Sequence, residues 1–288
     1  MATQQLAQWT HELTFSALPE SVVQAAIKSF YNYVGVAIGG SDHEAIQIAL
    51  KSSVAFAPSS GVSSFLGSER TSDPLQAALI NGFAAHIHDY DDTHLATVIH
   101  PTAPVASALV AYSEYASSQG KSISGEDFIL ALTAGVEVEC ILGLSVYPSH
   151  YDVGWHITAT VGSIGAAVAV GKAMKLHVEQ LQHAIGISSA SATGMREHFG
   201  SHSKAFGVGK AAQSGLQAAF LAQSGLTASE TAIDGKRGWI ACVCPEQNEA
   251  RRKLSDYITS MVRLQIVEIW AMLTNEQTEQ RHEPCMGD

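Results

Sequence analysis

Apolar positions along this chain recur at helical rather than strand spacing. Residues 3–16 carry apolar side chains every three or four positions. Pro19 and Glu20 open a second helix with Val22, Val23, Ala26, Ile27, Phe30, Val34 and Ile38 on one broad face, and Gly39-Gly40 ends it. A third helix is predicted from Glu44 to about Ala57. A turn-rich connector then runs from Pro58 to Arg70, with a short strand at Ser63–Leu66. Asp73-Pro74 joins an N-cap to a proline at the first helical position and predicts a helix from Leu75 to about His88. Further helices are predicted over Pro104–Ala116, from a Ser124 cap through Ser145, and over Thr158–Met174, Val178–Ala190 and Val208–Ser224. Polar connectors at 147–156 and 195–203 separate them. Strand alternation is scarce and no internal repeat is evident, so the predicted class is all-α.

The pattern changes near Asp234. Gly235-Lys236-Arg237-Gly238-Trp239 reads as an ordered loop. Beyond Glu246 the chain becomes charged, with one amphipathic helix predicted over 257–273 and a frayed tail over 274–288. The expected organisation is a helical domain over 1–245 and a charged tail over 246–288.

Composition narrows this picture. Of 288 residues, 46% are hydrophobic and 7% aromatic, which suits helices packed closely through small side chains. The net charge of -11 disfavours nucleic acid or an anionic membrane as partner. The longest apolar stretch, Ile157 to Val170, is too short to span a bilayer. Cys140, Cys242, Cys244 and Cys285 lack paired CxxC spacing, and no secretory signal is evident. Reduced thiols in a cytoplasmic protein are therefore expected.

Only 15% of residues are charged, yet the stretch from Ala85 to His100 gathers Asp89, Asp91 and Asp92 with His86, His88, His94 and His100. A chain poor in charge that concentrates acids and bases in one connector points to proton chemistry there. His150 and His156 fall in a second connector and His198 and His202 in a third, with Lys204 just beyond. Loops at one end of a helical bundle can converge, so one pocket built from the three connectors is expected. A metal site drawn from His86, His88, Asp89, Asp91, Asp92 and His94 is the sharpest alternative. Against it, His86 and His88 on a helix point about 200° apart. No metal is expected. The glycines of 162–171 lack the GK[ST] ending of a phosphate loop and fit close helix packing better.

Three pieces together resemble the MmgE/PrpD family: Asn81-Gly82 with His88-Asp89-Tyr90-Asp91-Asp92-Thr93 and His100-Pro101; Gly154-Trp155-His156 ahead of a Gly/Ala helix; and Ser203-Lys204 with Gly209-Lys210-Ala211-Ala212. The family holds 2-methylcitrate dehydratases, cis-aconitate decarboxylases and iminodisuccinate epimerases, and the resemblance covers about residues 5–245. It implies a helical domain carrying most of the site, a smaller α+β lid domain, homodimers and no cofactor. It also implies active-site roles for Asp89, Thr93, His100, His156 and Lys204, with one residue more between Thr93 and His100 than in the decarboxylase pattern. Beyond Cys244 the resemblance stops, and the lid is expected to be missing from a truncated relative. The expected activity is a lyase acting on a small anionic di- or tricarboxylate. An epimerase and an inactive helical dimerisation module are the alternatives. Asp89 and His100 are expected to move protons, Lys204 and His156 to hold carboxylates, and Thr93 and His202 to help bind substrate.

Overall fold

The computed structural model describes residues 1–53, 61–260, 266 and 269–270. Its helices are α1 (Ala2–Glu12), α2 (Glu20–Gly40), α3 (Glu44–Ser53), α4 (Pro74–His86), α5 (Thr102–Ser118), α6 (Gly125–Val146), α7 (Ser149–Asp152), α8 (Ile157–Ala173), α9 (Val178–Ser189), α10 (His202–Gln223), α11 (Trp239–Val243) and α12 (Gln247–Thr259). Four two-residue strands complete it: β1 (Ser63–Ser64) pairs antiparallel with β2 (Thr71–Ser72), and β3 (Thr93–His94) with β4 (Ile269–Trp270). The all-α expectation is met.

The predicted caps form. Asp73 Oδ1 accepts from the amides of Leu75 and Gln76 at 2.9 and 3.0 Å, with Pro74 opening α4. Ser124 Oγ accepts from the Asp127 amide at 3.0 Å to open α6. These bonds satisfy donors that have no partner inside the helix.

Helix α8 is the hub. It is buried along nearly its whole length and packs against α5, α6, α9 and α10. Helix α4 in turn lies between α10, α5 and α2. The α4–α10 contact depends on glycine: a Cβ at Gly209 would run into the Leu79 carbonyl. That close approach brings the start of α10, with Lys204, beside the end of α4.

Several boundaries differ from the sequence reading. Helix α10 begins at His202 rather than Val208, because Ala205, Val208 and Ala212 form one buried stripe that starts ahead of the apolar run. The second connector is not all loop, since α7 lies inside it. Of the helix predicted over 257–273, residues 261–265, 267–268 and 271–273 lie outside the described residues; α12 starts earlier, at Gln247, and runs to Thr259, while Ile269–Trp270 is extended against β3. The early start follows from packing, as Ala250 and Leu254, one turn apart, are buried where α12 meets α6 and α1. The third helix is seen to Ser53; its expected end at 54–57 and the predicted tail at 274–288 lie outside the described residues. Among the described residues the apolar helix of spanning length is α6, with 22 residues, rather than Ile157–Val170; most of its apolar window is buried among its neighbours, as in a core helix. Cys140, Cys242 and Cys244 are unpaired thiols.

Candidate active site

The first connector leaves α4 at His86 and returns at α5. Asp89 and Val98 both take left-handed backbone conformations, with φ of 58° and 53°. Aspartate tolerates this region, but a β-branched valine pays for it, on the order of 1–3 kcal/mol. Strain of that size persists only where the surroundings over-determine the chain. Here Asp92 does much of the anchoring: its carboxylate accepts from the Thr102 amide at 3.2 Å and from the Thr102 hydroxyl at 2.5 Å, and its amide donates to Asn32 at 3.0 Å.

The connector thereby folds its ionisable groups inward. Asp89 Oδ1 lies 2.7 Å from Lys204 Nζ, 3.6 Å from His100 Nε2 and 3.9 Å from His86 Nε2. Beneath it, Asp91 Oδ2 is 2.8 Å from His86 Nδ1, and Asp91 Oδ1 is 3.4 Å from His100 Nδ1. Thr93 Oγ1 sits 3.4 Å from the same His100 nitrogen. His156, just ahead of α8, stacks on His86 with ring centres 5.6 Å apart and meets the edge of Phe199. Its amide donates to the Gly194 carbonyl, where a φ of 102° favours glycine. Lys204 Nζ also lies 5.2 Å from the Phe199 ring.

Burial sets the charges. It pushes His86 down to about 3, helped by the Lys204 ammonium, and takes His156 well below and His100 below the usual imidazole range. Burial alone would raise the Asp89 carboxyl, but the facing His100, His86 and Lys204 outweigh it and hold the group at about 2. Burial lifts Asp91 to about 6 against the pull of His100, and Asp92 to about 7 against its bonds from Thr102. At neutral pH the pocket thus presents neutral imidazoles around one ammonium–carboxylate pair, the combination that acid–base chemistry requires.

The expected convergence is selective. Asp89, Thr93, His100, His156 and Lys204 come together. His202 does not join them: it faces His43 with ring centres 5.5 Å apart, and His88 lies 5.4 Å from His43. His150 is buried away from the pocket, bonded to the Val243 carbonyl and the Thr160 hydroxyl. His94 bonds Thr97. The sequence reading left His86 and Asp91 out of the site, although both stand at its centre. The available signal was the helix geometry that sends His86 and His88 in opposite directions.

That geometry also bears on the metal alternative. His86, Asp89, Asp91 and His100 offer ligand-type atoms within 4.8 Å of one another. Of the other residues of that alternative, His88 lies against His43, Asp92 bonds Thr102 and His94 bonds Thr97. The Lys204 ammonium already stands on Asp89, so a fixed side-chain cation occupies the place where a metal ion would draw on that oxygen.

Residues 4–251 match the MmgE/PrpD N-terminal domain. Human cis-aconitate decarboxylase is 30% identical over 241 residues, covering 82% of this chain and 49% of the relative. The mouse protein of the same name is 28% identical over 234 residues, covering 81% and 47%. Cis-aconitate decarboxylase of Aspergillus terreus is 29% identical over 183 residues, covering 63% and 37%. The chain thus spans about half the length of the mammalian relatives, and less of the fungal one. With a domain match over most of its length and the site's residues drawn from inside that match, the chain belongs to the MmgE/PrpD family.

Proposed function

We propose that this chain carries the acid–base centre of a cofactor-free lyase that decarboxylates or dehydrates a small di- or tricarboxylate. The observation that carries this reading is the Lys204–Asp89 pair at 2.7 Å, set against the neutral imidazoles of His100 and His156. The names of the relatives, which specify cis-aconitate, support the substrate class.

In this reading an incoming carboxylate shares the Lys204 ammonium with Asp89, and His156 hydrogen-bonds a second carboxylate. Asp89, held ionised at about 2, is a weak base at neutral pH. Its part is to aim the ammonium. His100, neutral and oriented by Asp91 and Thr93, is the proton acceptor, and Lys204 is the proton donor. In decarboxylation the bond to the departing carboxylate breaks, its electron pair stays on the carbon skeleton and carbon dioxide leaves. A proton from Lys204 then quenches that carbon. In dehydration His100 takes the proton beside a carboxylate, and hydroxide leaves with a proton from Lys204. Both outcomes pass through a carbanion-like centre that the ammonium stabilises.

The test is an NMR time course of the purified chain in deuterated buffer with cis-aconitate, 2-methylcitrate, citrate and iminodisuccinate. Loss of carbon dioxide or water from one of the first three, absent in Lys204→Ala, is the expected result. Deuterium exchange beside a carboxylate without elimination would replace the lyase by an epimerase. No change with any of the four, from folded protein, would overturn the reading.

A further inference from the structure

His86 stands out among the site's residues because its two ring nitrogens have opposite surroundings. The side chain is fully buried at the end of α4. Nδ1 is tied to both oxygens of Asp91, at 3.0 and 2.8 Å. Nε2 is buried, has no hydrogen-bond partner among the described residues and points toward Asp89 Oδ1 at 3.9 Å. A polar atom left that way costs about 1–3 kcal/mol, and native interiors satisfy nearly all such atoms. An orphaned nitrogen aimed into a pocket is one whose partner arrives with the ligand.

Asp91 decides which partner. It is buried, and it reaches His86 Nδ1 through its carboxylate and His100 Nδ1 through both its carboxylate and its backbone carbonyl. A carboxylate accepts and does not donate, so both imidazoles keep their proton on Nδ1. Both then turn a bare Nε2 toward Asp89, at 3.9 and 3.6 Å. The other ionisable groups around His86 are His156, stacked on its face, and Lys204, whose ammonium is anchored on Asp89.

We propose that His86 is a further substrate-contacting residue, accepting a hydrogen bond through Nε2 from a hydroxyl of the bound substrate or from a water ordered beside it, and that Asp91 is the positioning residue that fixes its tautomer. This role rests on the function proposed above. It extends the site from one imidazole acceptor to a matched pair served by a single buried carboxylate. The arrangement follows the logic of other aspartate–histidine pairs, where the acid holds the ring in one tautomer and does not itself take the proton.

Two variants and one spectrum test it. In His86→Asn the amide nitrogen stands where Nδ1 stood and keeps the bond to Asp91, but nothing replaces Nε2. A purely structural histidine would survive this change. A substrate contact would not, and a fall in kcat of roughly 100-fold or more with an unshifted thermal midpoint is expected. In Asp91→Asn the amide can donate to Nδ1 and drive the proton to Nε2, turning an acceptor into a donor. The same order of loss is expected, with KM changed less than kcat. Long-range proton–nitrogen spectra of histidine-labelled wild type should show an unprotonated His86 Nε2 whose signal moves when cis-aconitate is added. Activity within about threefold of wild type in His86→Asn, a proton found on Nε2, or a His86 signal unmoved by cis-aconitate while the enzyme turns it over would each overturn this role alone. Absence of turnover together with unmoved His86 and His100 signals would overturn the proposed function as well.

Discussion

Two regions of the molecule invite a ligand, and they differ in kind. One is a cleft of about 870 Å³ bordered by Trp155, Ile187, Thr231, Lys236, Arg237 and Trp239. Its cations and its exposed thiol, Cys242, all come from one short stretch of chain. The other is the Asp89 cluster, whose groups arrive from the end of α4, the approach to α5, the approach to α8 and the first turn of α10. Volume accompanies the first and convergence the second. Ionisable groups gathered from four distant segments constrain orientation and shift one another's proton affinities, whereas a cleft whose charged groups come from one loop mainly offers space.

The largest break in that comparison is expected at Lys204. Lys204→Ala removes the ammonium and leaves Asp89 and Asp91 facing each other without a cation. Loss of kcat/KM by about 10²–10³ or more is expected in the cis-aconitate assay, in line with the removal of a group that stabilises developing charge. Circular dichroism should show the helical fold retained, because Lys204 lies on the pocket wall and not in the core. A variant with unchanged kcat/KM would move the chemistry away from this cluster.

Next comes a contrast inside one connector. His150 and His156 are six residues apart and both buried, yet they serve different ends. His150 lies parallel to Trp155 and near Trp239, and bonds the Val243 carbonyl at 3.1 Å and the Thr160 hydroxyl at 2.7 Å. Its replacement by alanine should cost about 2–4 kcal/mol in urea denaturation, from the cavity and the orphaned partners. His156→Ala should instead abolish most turnover with a smaller change in stability. If the two variants exchanged these effects, the division between scaffold and site drawn here would be reversed.

How much of this was legible from the chain depends on what carries each feature. The caps at Asp73 and Ser124 are local chemistry, and both were readable. That Asp89, His100, His156 and Lys204 would lie near one another was expected through residue type and a family resemblance, and the geometry brings them together. The central place of Asp91 and His86 was not, because it follows from a connector turned by left-handed backbone at Asp89 and Val98. His202 misled for a related reason. Sequence proximity to Lys204 put it in the site, but adjacent positions on a helix diverge by about 100° each, and it meets His43 instead. The extended pair at Ile269–Trp270 was invisible, since its partner lies some 175 residues earlier.

A smaller effect separates Asp92 from its neighbour Asp89. Burial raises Asp92 to about 7, so its folded form favours the proton more than the unfolded chain does. Its contribution to stability is therefore fully present below about pH 4 and is lost as pH rises toward 7. Asp92→Asn keeps an acceptor for the Thr102 amide and cannot ionise. The variant should gain stability relative to wild type between pH 4 and pH 7, by on the order of 1 kcal/mol, as read from paired denaturation curves across that range. A constant difference between the two proteins across it would place the ionisation elsewhere.

The smallest effect expected is at the cleft beside Trp239. Lys236 and Arg237 lie in the loop that Arg251 ties down through bonds to the Asp234 and Gly235 carbonyls, at 2.9 Å each. Those bonds use the loop's backbone, so the two side chains are free to change without releasing it. Lys236→Ala and Arg237→Ala should leave stability within about 0.5 kcal/mol, as is usual for surface positions without buried partners. Turnover should stay within about twofold, because neither residue is among those that meet Asp89. A tenfold loss in either variant would mean that the cleft takes part in the reaction, and that convergence of buried groups is a poorer guide to this protein's chemistry than the space it encloses.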